Sequence, residues 1–138
     1  MKRIVAILLA MLLTAGLSAC GAATKGVKID LGKSERFSEA ERQAAADFVL
    51  AQFKGEGYEG CTLKRIYYDE AKSLRHIDGP LYDIYGMDPD DIIVLFSDFR
   101  TGGALGSFEP NANYDGWAWY LIRDGKGEPW REYTHGYG

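Results

Sequence analysis

Two charged side chains flank a phenylalanine at the end of an apolar segment. Asp98 and Arg100 lie on either side of Phe99, so in a β-strand both point to the same face of the sheet. With His76 or Tyr67 they could line a polar cleft in which a carboxylate and an imidazole act as general acid and base. The alternative is a solvent-facing ion pair at a strand end, worth ~0–1 kcal/mol. The pattern favours the ion pair.

Cys61 is the second candidate for chemistry. The chain has two cysteines, Cys20 and Cys61. Cys61 begins an apolar segment, which favours a buried small side chain over a reactive thiolate. The histidines, His76 and His135, show no metal-ligand spacing with the cysteines. We therefore expect no metal and no other cofactor.

Carboxylates are concentrated in one stretch of the chain. Five aspartates fall between residues 78 and 91: Asp78, Asp83, Asp88, Asp90 and Asp91. Such clusters can bind Ca²⁺, but this spacing lacks the D-x-D-x-D-G pattern of an EF-hand and its final glutamate. A solvated acidic loop is the favoured interpretation.

The tryptophans are candidates for binding. Trp117 and Trp119 are two residues apart and share one face of a predicted strand with Leu121. A hairpin partner strand could bring Trp130 beside them. Exposed, the three would form a stacking platform for glycan rings or a hot spot for a protein. Buried, they would be core beneath a helix, which the sequence favours.

The segment 100–116 is long for a hairpin connection. It contains several glycines and asparagines together with Phe108 and Tyr114. Loops of this length in compact domains are often functional. Recognition by Phe108 and Tyr114 and a plain mobile loop both remain open. No G-x-S-x-G, H-E-x-x-H, P-loop or GxGxxG motif is present, so catalysis is the less favoured alternative.

The N-terminus has the organisation of a secretory leader. Lys2 and Arg3 precede ten uncharged residues, 4–13, which is the length of a signal-peptide apolar region and too short to span a bilayer. The following Leu17-Ser18-Ala19-Cys20 resembles the lipobox of bacterial lipoproteins. The resemblance implies cleavage between Ala19 and Cys20 and a lipid on Cys20. It places the protein on the outer side of a bacterial cell membrane, extracellular or periplasmic.

Residues 20–36 are predicted to be the lipidated N-terminus and a flexible tether. About 16 flexible residues span roughly 20–24 Å. The alternating segment 27–31 could instead be an edge strand.

The remaining chain, 37–138, predicts a single α+β domain. Ser38 and Glu41 form a capping box for a helix over 38–54. Strands are predicted over 61–68, 92–99, 117–123 and 130–134, with a short helical turn over 69–76 and a tight turn at 124–127. One helix packed on a curved antiparallel sheet of about four strands covers one face of that sheet. The element order over 37–135 resembles cystatin-like and small NTF2-like folds. The closing hairpin, with residues 117–123, Trp130 and Gly136-Tyr137-Gly138, resembles that of small lipoproteins of Gram-positive bacteria.

Charge limits the partners of the mature chain. Removal of Lys2 and Arg3 with the leader leaves 14 basic and 20 acidic side chains, a net charge of −6. An acidic domain lacks the basic surface that binds the phosphates of nucleic acid.

We therefore expect a membrane-anchored binding module for an envelope protein or glycan. A small hydrolase or isomerase with a cleft around Asp98, Arg100 and His76 is the alternative.

Overall fold

The computed structural model describes residues 21–78, 86–103 and 107–137. The leader, Ala19, the lipobox cysteine Cys20 and Asp83 lie outside these residues. The elements, in chain order, are β1 (Lys28–Asp30), α1 (Glu39–Lys54), β2 (Thr62–Tyr67), α2 (Glu70–Ile77), a 3₁₀ turn (Pro89–Asp91), β3 (Ile92–Arg100), β4 (Asn113–Ile122) and β5 (Arg131–Gly136).

The strands form one sheet in the order β1-β2-β3-β4-β5. Strands β2 to β5 pair antiparallel with their neighbours, and β1 pairs parallel with β2. The α+β class is confirmed, but the expected four-stranded antiparallel sheet is wrong by one strand. Parallel neighbours need a crossover connection, and α1 supplies it between β1 and β2.

The additional strand comes from the segment expected to be a tether. β1 lies within 22–36, so the edge-strand alternative is the one that the structure shows. The backbone N–H of Ala22 donates to the Phe53 carbonyl, and that of Ala23 to the Cys61 carbonyl, each at 2.8 Å. The expectation of a flexible tether is corrected, because backbone hydrogen bonds fix this segment to the domain.

Helix α1 covers one face of the sheet. Its N-cap is Ser38, as predicted, with both hydrogen bonds of the capping box present. Val49 and Phe53 are fully buried in the same cluster as Leu95 and Trp119. The Phe53 and Trp119 ring centroids lie 5.4 Å apart. This layer forms the larger core.

Helix α2 packs on the opposite face, so both faces of the sheet are covered. Ile77 joins a second cluster with Val94, Phe96 and Tyr120. The predicted alternation along β4 is confirmed: Trp119 and Leu121 belong to the first core, and Ala118, Tyr120 and Ile122 to the second.

The chain connections fall at two ends of the sheet. At one end, α1 ends, β2 and β4 begin, and β3 and β5 end; it is called the anchor end because the first described residues, which follow the predicted lipidation site, join the domain there. The far end is the opposite one, where α1 and β3 begin and residues 123–130 join β4 to β5. The predicted tight turn at 124–127 lies within this longer connection, because Ile122 pairs with Arg131.

Candidate binding groove

The first turn of α1 positions Glu41 at the far end. Glu41 donates its backbone N–H to Ser38 Oγ at 3.1 Å, and its Oε1 accepts the Ser38 N–H at 3.0 Å. These bonds fix the carboxylate rotamer and direct its second oxygen away from the cap. The pKa of Glu41 is held below its usual value, chiefly by the Ser38 backbone N–H; Arg123 adds to this and burial opposes it.

Arg123 connects three elements at this end. Its Nη1 lies 2.5 Å from Glu41 Oε2, its Nη2 donates to the Asp90 carbonyl at 2.9 Å, and its Nε lies 3.4 Å from Asp91 Oδ1. The guanidinium also lies over the Trp130 ring, 4.6 Å from the centroid. Its side chain is 5% exposed, so these partners replace water around the charge.

Trp130 packs beneath this ion pair. Its ring meets Phe37 edge to face at a centroid distance of 5.7 Å, and its Nε1 donates to the Glu41 carbonyl at 3.1 Å. Trp130 is buried, as is Trp119. It does not lie beside the other tryptophans, because the β4–β5 register places it next to Arg123. Burial, which the sequence favoured, is confirmed for Trp119 and Trp130, and the alternative of a three-tryptophan platform is not formed.

A groove of about 630 Å³ opens between α1 and the 123–130 connection. Ala40, Ala44 and Phe48 form one wall, Pro129 lies in the other, and Trp130 contributes to the lining. Because residues four apart in a helix lie on one face, the small Ala40 and Ala44 leave space above Phe48. This groove was not predicted from the sequence, in which the i, i+4, i+8 spacing of Ala40, Ala44 and Phe48 was the available signal.

The rim of the groove is acidic. Asp47 and Glu128 line it and are exposed. Arg123 is the basic side chain among the lining residues, and its charge is occupied by Glu41 and Asp91. The groove therefore offers apolar surface bordered by unneutralised carboxylates.

Phe108, Tyr114 and Trp117 form a separate aromatic cluster at the anchor end. The Tyr114 ring stacks on Phe99 with centroids 5.1 Å apart and on Tyr137 with centroids 6.0 Å apart. Phe108 and Trp117 meet Tyr114 edge to face. All three candidate residues are half-buried, so the cluster is core with an exposed margin.

The connection that carries Phe108 is shorter than the sequence suggested. Strand β4 begins at Asn113, which leaves residues 101–112 between β3 and β4. Thr101 closes this segment: its N–H donates to the Ala112 carbonyl at 2.9 Å, and its hydroxyl donates to the Glu109 carbonyl at 2.6 Å.

The side chains that could have lined a polar cleft do not share hydrogen-bond partners in the structure. Asp98 accepts the Gly116 N–H at 2.8 Å, and His76 Nδ1 lies 2.8 Å from the Tyr120 hydroxyl. Gly116 and Tyr120 are four residues apart in β4, so Asp98 and His76 are held by partners at different points of that strand.

Arg100 and Tyr67 have other partners. Arg100 donates to Asn113 Oδ1 at 3.4 Å, and the Tyr67 hydroxyl accepts from Lys72 Nζ at 2.8 Å. The predicted ion pair between Asp98 and Arg100 is not among the ion pairs of the described residues. A second cleft of about 520 Å³ lies beside Tyr67, but Arg65 in its lining is already paired with Asp30.

Cys61 is buried, as predicted. It is 4% exposed, and burial, with Glu59 adding to it, raises the pKa of the thiol. A protonated, enclosed thiol is a poor nucleophile. Within 21–78, 86–103 and 107–137, no group of three or more His, Cys, Asp or Glu residues is arranged to hold a metal ion.

The comparisons with known proteins leave the groove as the main guide to function. No protein-family model matches the chain, and no match was found among curated proteins or solved structures. Among the described helices, none is both long enough and apolar enough to cross a membrane.

Proposed function

We propose that this chain is a lipid-anchored, non-catalytic binding module of the bacterial envelope, facing away from the cytoplasm. The lipobox at 17–20 supports the anchor, with cleavage after Ala19 and diacylglyceryl on Cys20. One acyl chain gives marginal membrane binding, whereas two or more give stable retention. The mature net charge of −6 makes nucleic acid an unsuitable partner.

The groove between α1 and the 123–130 connection supports the binding role. Its lining combines apolar Phe48 and Trp130 with exposed Asp47 and Glu128. This chemistry suits a protein segment that inserts an apolar side chain and carries lysine or arginine beside it. The Trp130 ring is buried and cannot offer an open face to a sugar, which favours a protein over a glycan at this groove.

A finer fold assignment forms part of the proposal. We assign the domain to the cystatin-like or small NTF2-like group of α+β folds, as a small lipoprotein of the Gram-positive type. A long helix that precedes antiparallel strands and packs across one sheet face supports it. The parallel strand β1 is an addition to that pattern.

The anchor is tested by the mass of the chain extracted from membranes. We expect a polypeptide that begins at Cys20 and carries a diacylglyceryl group. The Cys20→Ser variant should be recovered in the soluble fraction and not with the membranes. A wild-type chain that starts elsewhere, or that carries no acyl group, would contradict the anchor.

The binding role is tested by panning a random peptide display library against the domain. Enriched peptides should combine an aromatic or aliphatic residue with lysine or arginine. Ala44→Trp fills the groove and should reduce their affinity at least tenfold, about 1.4 kcal/mol. Ala51→Trp is the matched control, because Ala51 is exposed on α1 and absent from the groove lining.

Three outcomes would contradict this assignment. One is a library that yields no enriched sequence, and the second is a set of enriched peptides that bind Ala44→Trp as tightly as wild type. Binding of soluble peptidoglycan fragments, with no peptide binding, would move the site to the aromatic cluster around Tyr114.

A further inference from the structure

The chain enters the folded domain at a fixed point of the anchor end. Ala23 pairs with β2 on both sides: its N–H donates to the Cys61 carbonyl at 2.8 Å and its carbonyl accepts the Leu63 N–H at 2.9 Å. Ala22 is bonded to the Phe53 carbonyl at the end of α1. Gly21 has φ +98°, and a Cβ there would lie 2.3 Å from the Lys54 carbonyl oxygen. The backbone is therefore docked from residue 21 onward.

This docking leaves no room for a linker. Cys20 directly precedes Gly21, and consecutive Cα atoms are about 3.8 Å apart. A lipid on Cys20 would therefore be attached beside the C-terminal end of α1. We infer that the anchor end of the domain rests directly on the phospholipid headgroup layer, in one orientation. This inference depends on the proposed lipidation of Cys20.

The distribution of charge fits this orientation. The two far-end segments, 86–91 and 123–130, contain five acidic and two basic side chains. At the anchor end, Lys25, Lys54, Lys64 and Arg100 are opposed by Glu56, Glu59, Asp98, Glu109 and Asp115, which leaves a net charge of −1 against −3 for the two far-end segments. Because phosphate groups repel carboxylates, an acidic domain approaches a bilayer most easily with its least acidic end.

The aromatic cluster lies at the same end. Tyr114 begins β4 and stacks on Tyr137, which follows β5 and is 60% exposed. Phe108 packs on Tyr114 from the neighbouring connection. Tyrosine rings with polar tips are suited to the headgroup region, where one part of the ring is apolar and the hydroxyl is hydrated.

The orientation determines where the groove points. From Lys54 to Ala40, α1 rises about 21 Å at 1.5 Å per residue. Ala40 lines the groove at the far end. The lining extends along α1 to Phe48, about 9 Å from Lys54, so the groove would lie along the half of α1 that is farther from the lipid.

Short-range fluorescence quenching tests the orientation with the full acylated chain in phosphatidylcholine vesicles. A fluorophore is attached at Glu56→Cys or Glu128→Cys in a Cys61→Ala background, and the vesicles contain a lipid with a nitroxide on its headgroup. Glu56 is exposed at the anchor end and Glu128 at the far end. We expect the label at 56 to be quenched several times more strongly than the label at 128.

A linker insertion is the control. About 15 Gly and Ser residues between Cys20 and Gly21 span roughly 20 Å and should make quenching at the two positions similar. Equal quenching without the insertion, in a chain whose mass shows the acyl group, would overturn the orientation alone. A chain without the acyl group would overturn the proposed anchor, and with it the orientation.

Discussion

The indole nitrogen of Trp130 donates a hydrogen bond to the backbone carbonyl of Glu41 at 3.1 Å. The two residues are 89 positions apart in the chain, and both line the groove. The Glu41 carboxylate also forms an ion pair with the guanidinium of Arg123. Disruption of this group should therefore affect both stability and the shape of the groove.

The Arg123 network should contribute measurably to stability. Arg123→Met leaves Glu41 and Asp91 without their cation, and we expect a loss of about 2–4 kcal/mol in the free energy of unfolding, less than for a fully buried pair because both carboxylates are partly exposed. Urea denaturation measures it. Arg131→Met is the matched control: its ion pair with Asp124 is exposed, and its loss should cost ~0–1 kcal/mol. Equal effects of the two substitutions would contradict the role of Arg123.

His76 should make stability depend on pH. Burial, with the charges of Lys72 and Arg75, holds the pKa of His76 below its usual value near 6.5. The stabilisation is fully present above pH 6.5 and is lost as the pH falls through the native pKa, because the unfolded chain binds the proton more readily. The free energy of unfolding should therefore decrease between pH 7 and pH 5.

A histidine variant separates this effect from other titrations. His76→Gln should remove the decrease in that interval. A His76→Gln variant that keeps the full decrease would assign the pH dependence to another group.

Cys61 should react slowly in the native protein. Its thiol is buried, and burial raises its pKa, so little thiolate is available to iodoacetamide at neutral pH. Residues 21–138 contain this single cysteine. Labelling should become fast in denaturant, and an introduced thiol at the exposed Ser107→Cys position should react quickly without it. Rapid native labelling of Cys61 would restore it as a candidate nucleophile.

Tryptophan fluorescence should be mostly protected from acrylamide. Trp119 and Trp130 are buried, and Trp117 is partly exposed. We expect blue-shifted emission with one weakly quenchable component. Trp117→Phe should remove that component, whereas Trp130→Phe should leave it in place. Strong quenching that survives Trp117→Phe would place a second indole at the surface.

Much of the local structure could be predicted from the sequence. The capping box at Ser38 and Glu41 specified where α1 begins, because both of its hydrogen bonds form within four residues. Alternation of residues along β4 indicated two sheet faces, because successive side chains in a strand point to opposite sides. The burial of Cys61 followed from its apolar neighbours in the chain.

Tertiary structure alone decided the candidate groove and the point at which the chain enters the folded domain. The β4–β5 register placed Trp130 beside Arg123 and away from Trp117, and sequence does not specify the length of the connection that sets this register. Parallel pairing of β1 with β2 turned a suspected tether into part of the domain. These outcomes depend on contacts between residues distant in the chain, whereas helix caps and strand alternation depend only on near neighbours. The sequence therefore specified α1 and the main strands, and it predicts the leader, whereas long-range packing determined which surfaces the elements present.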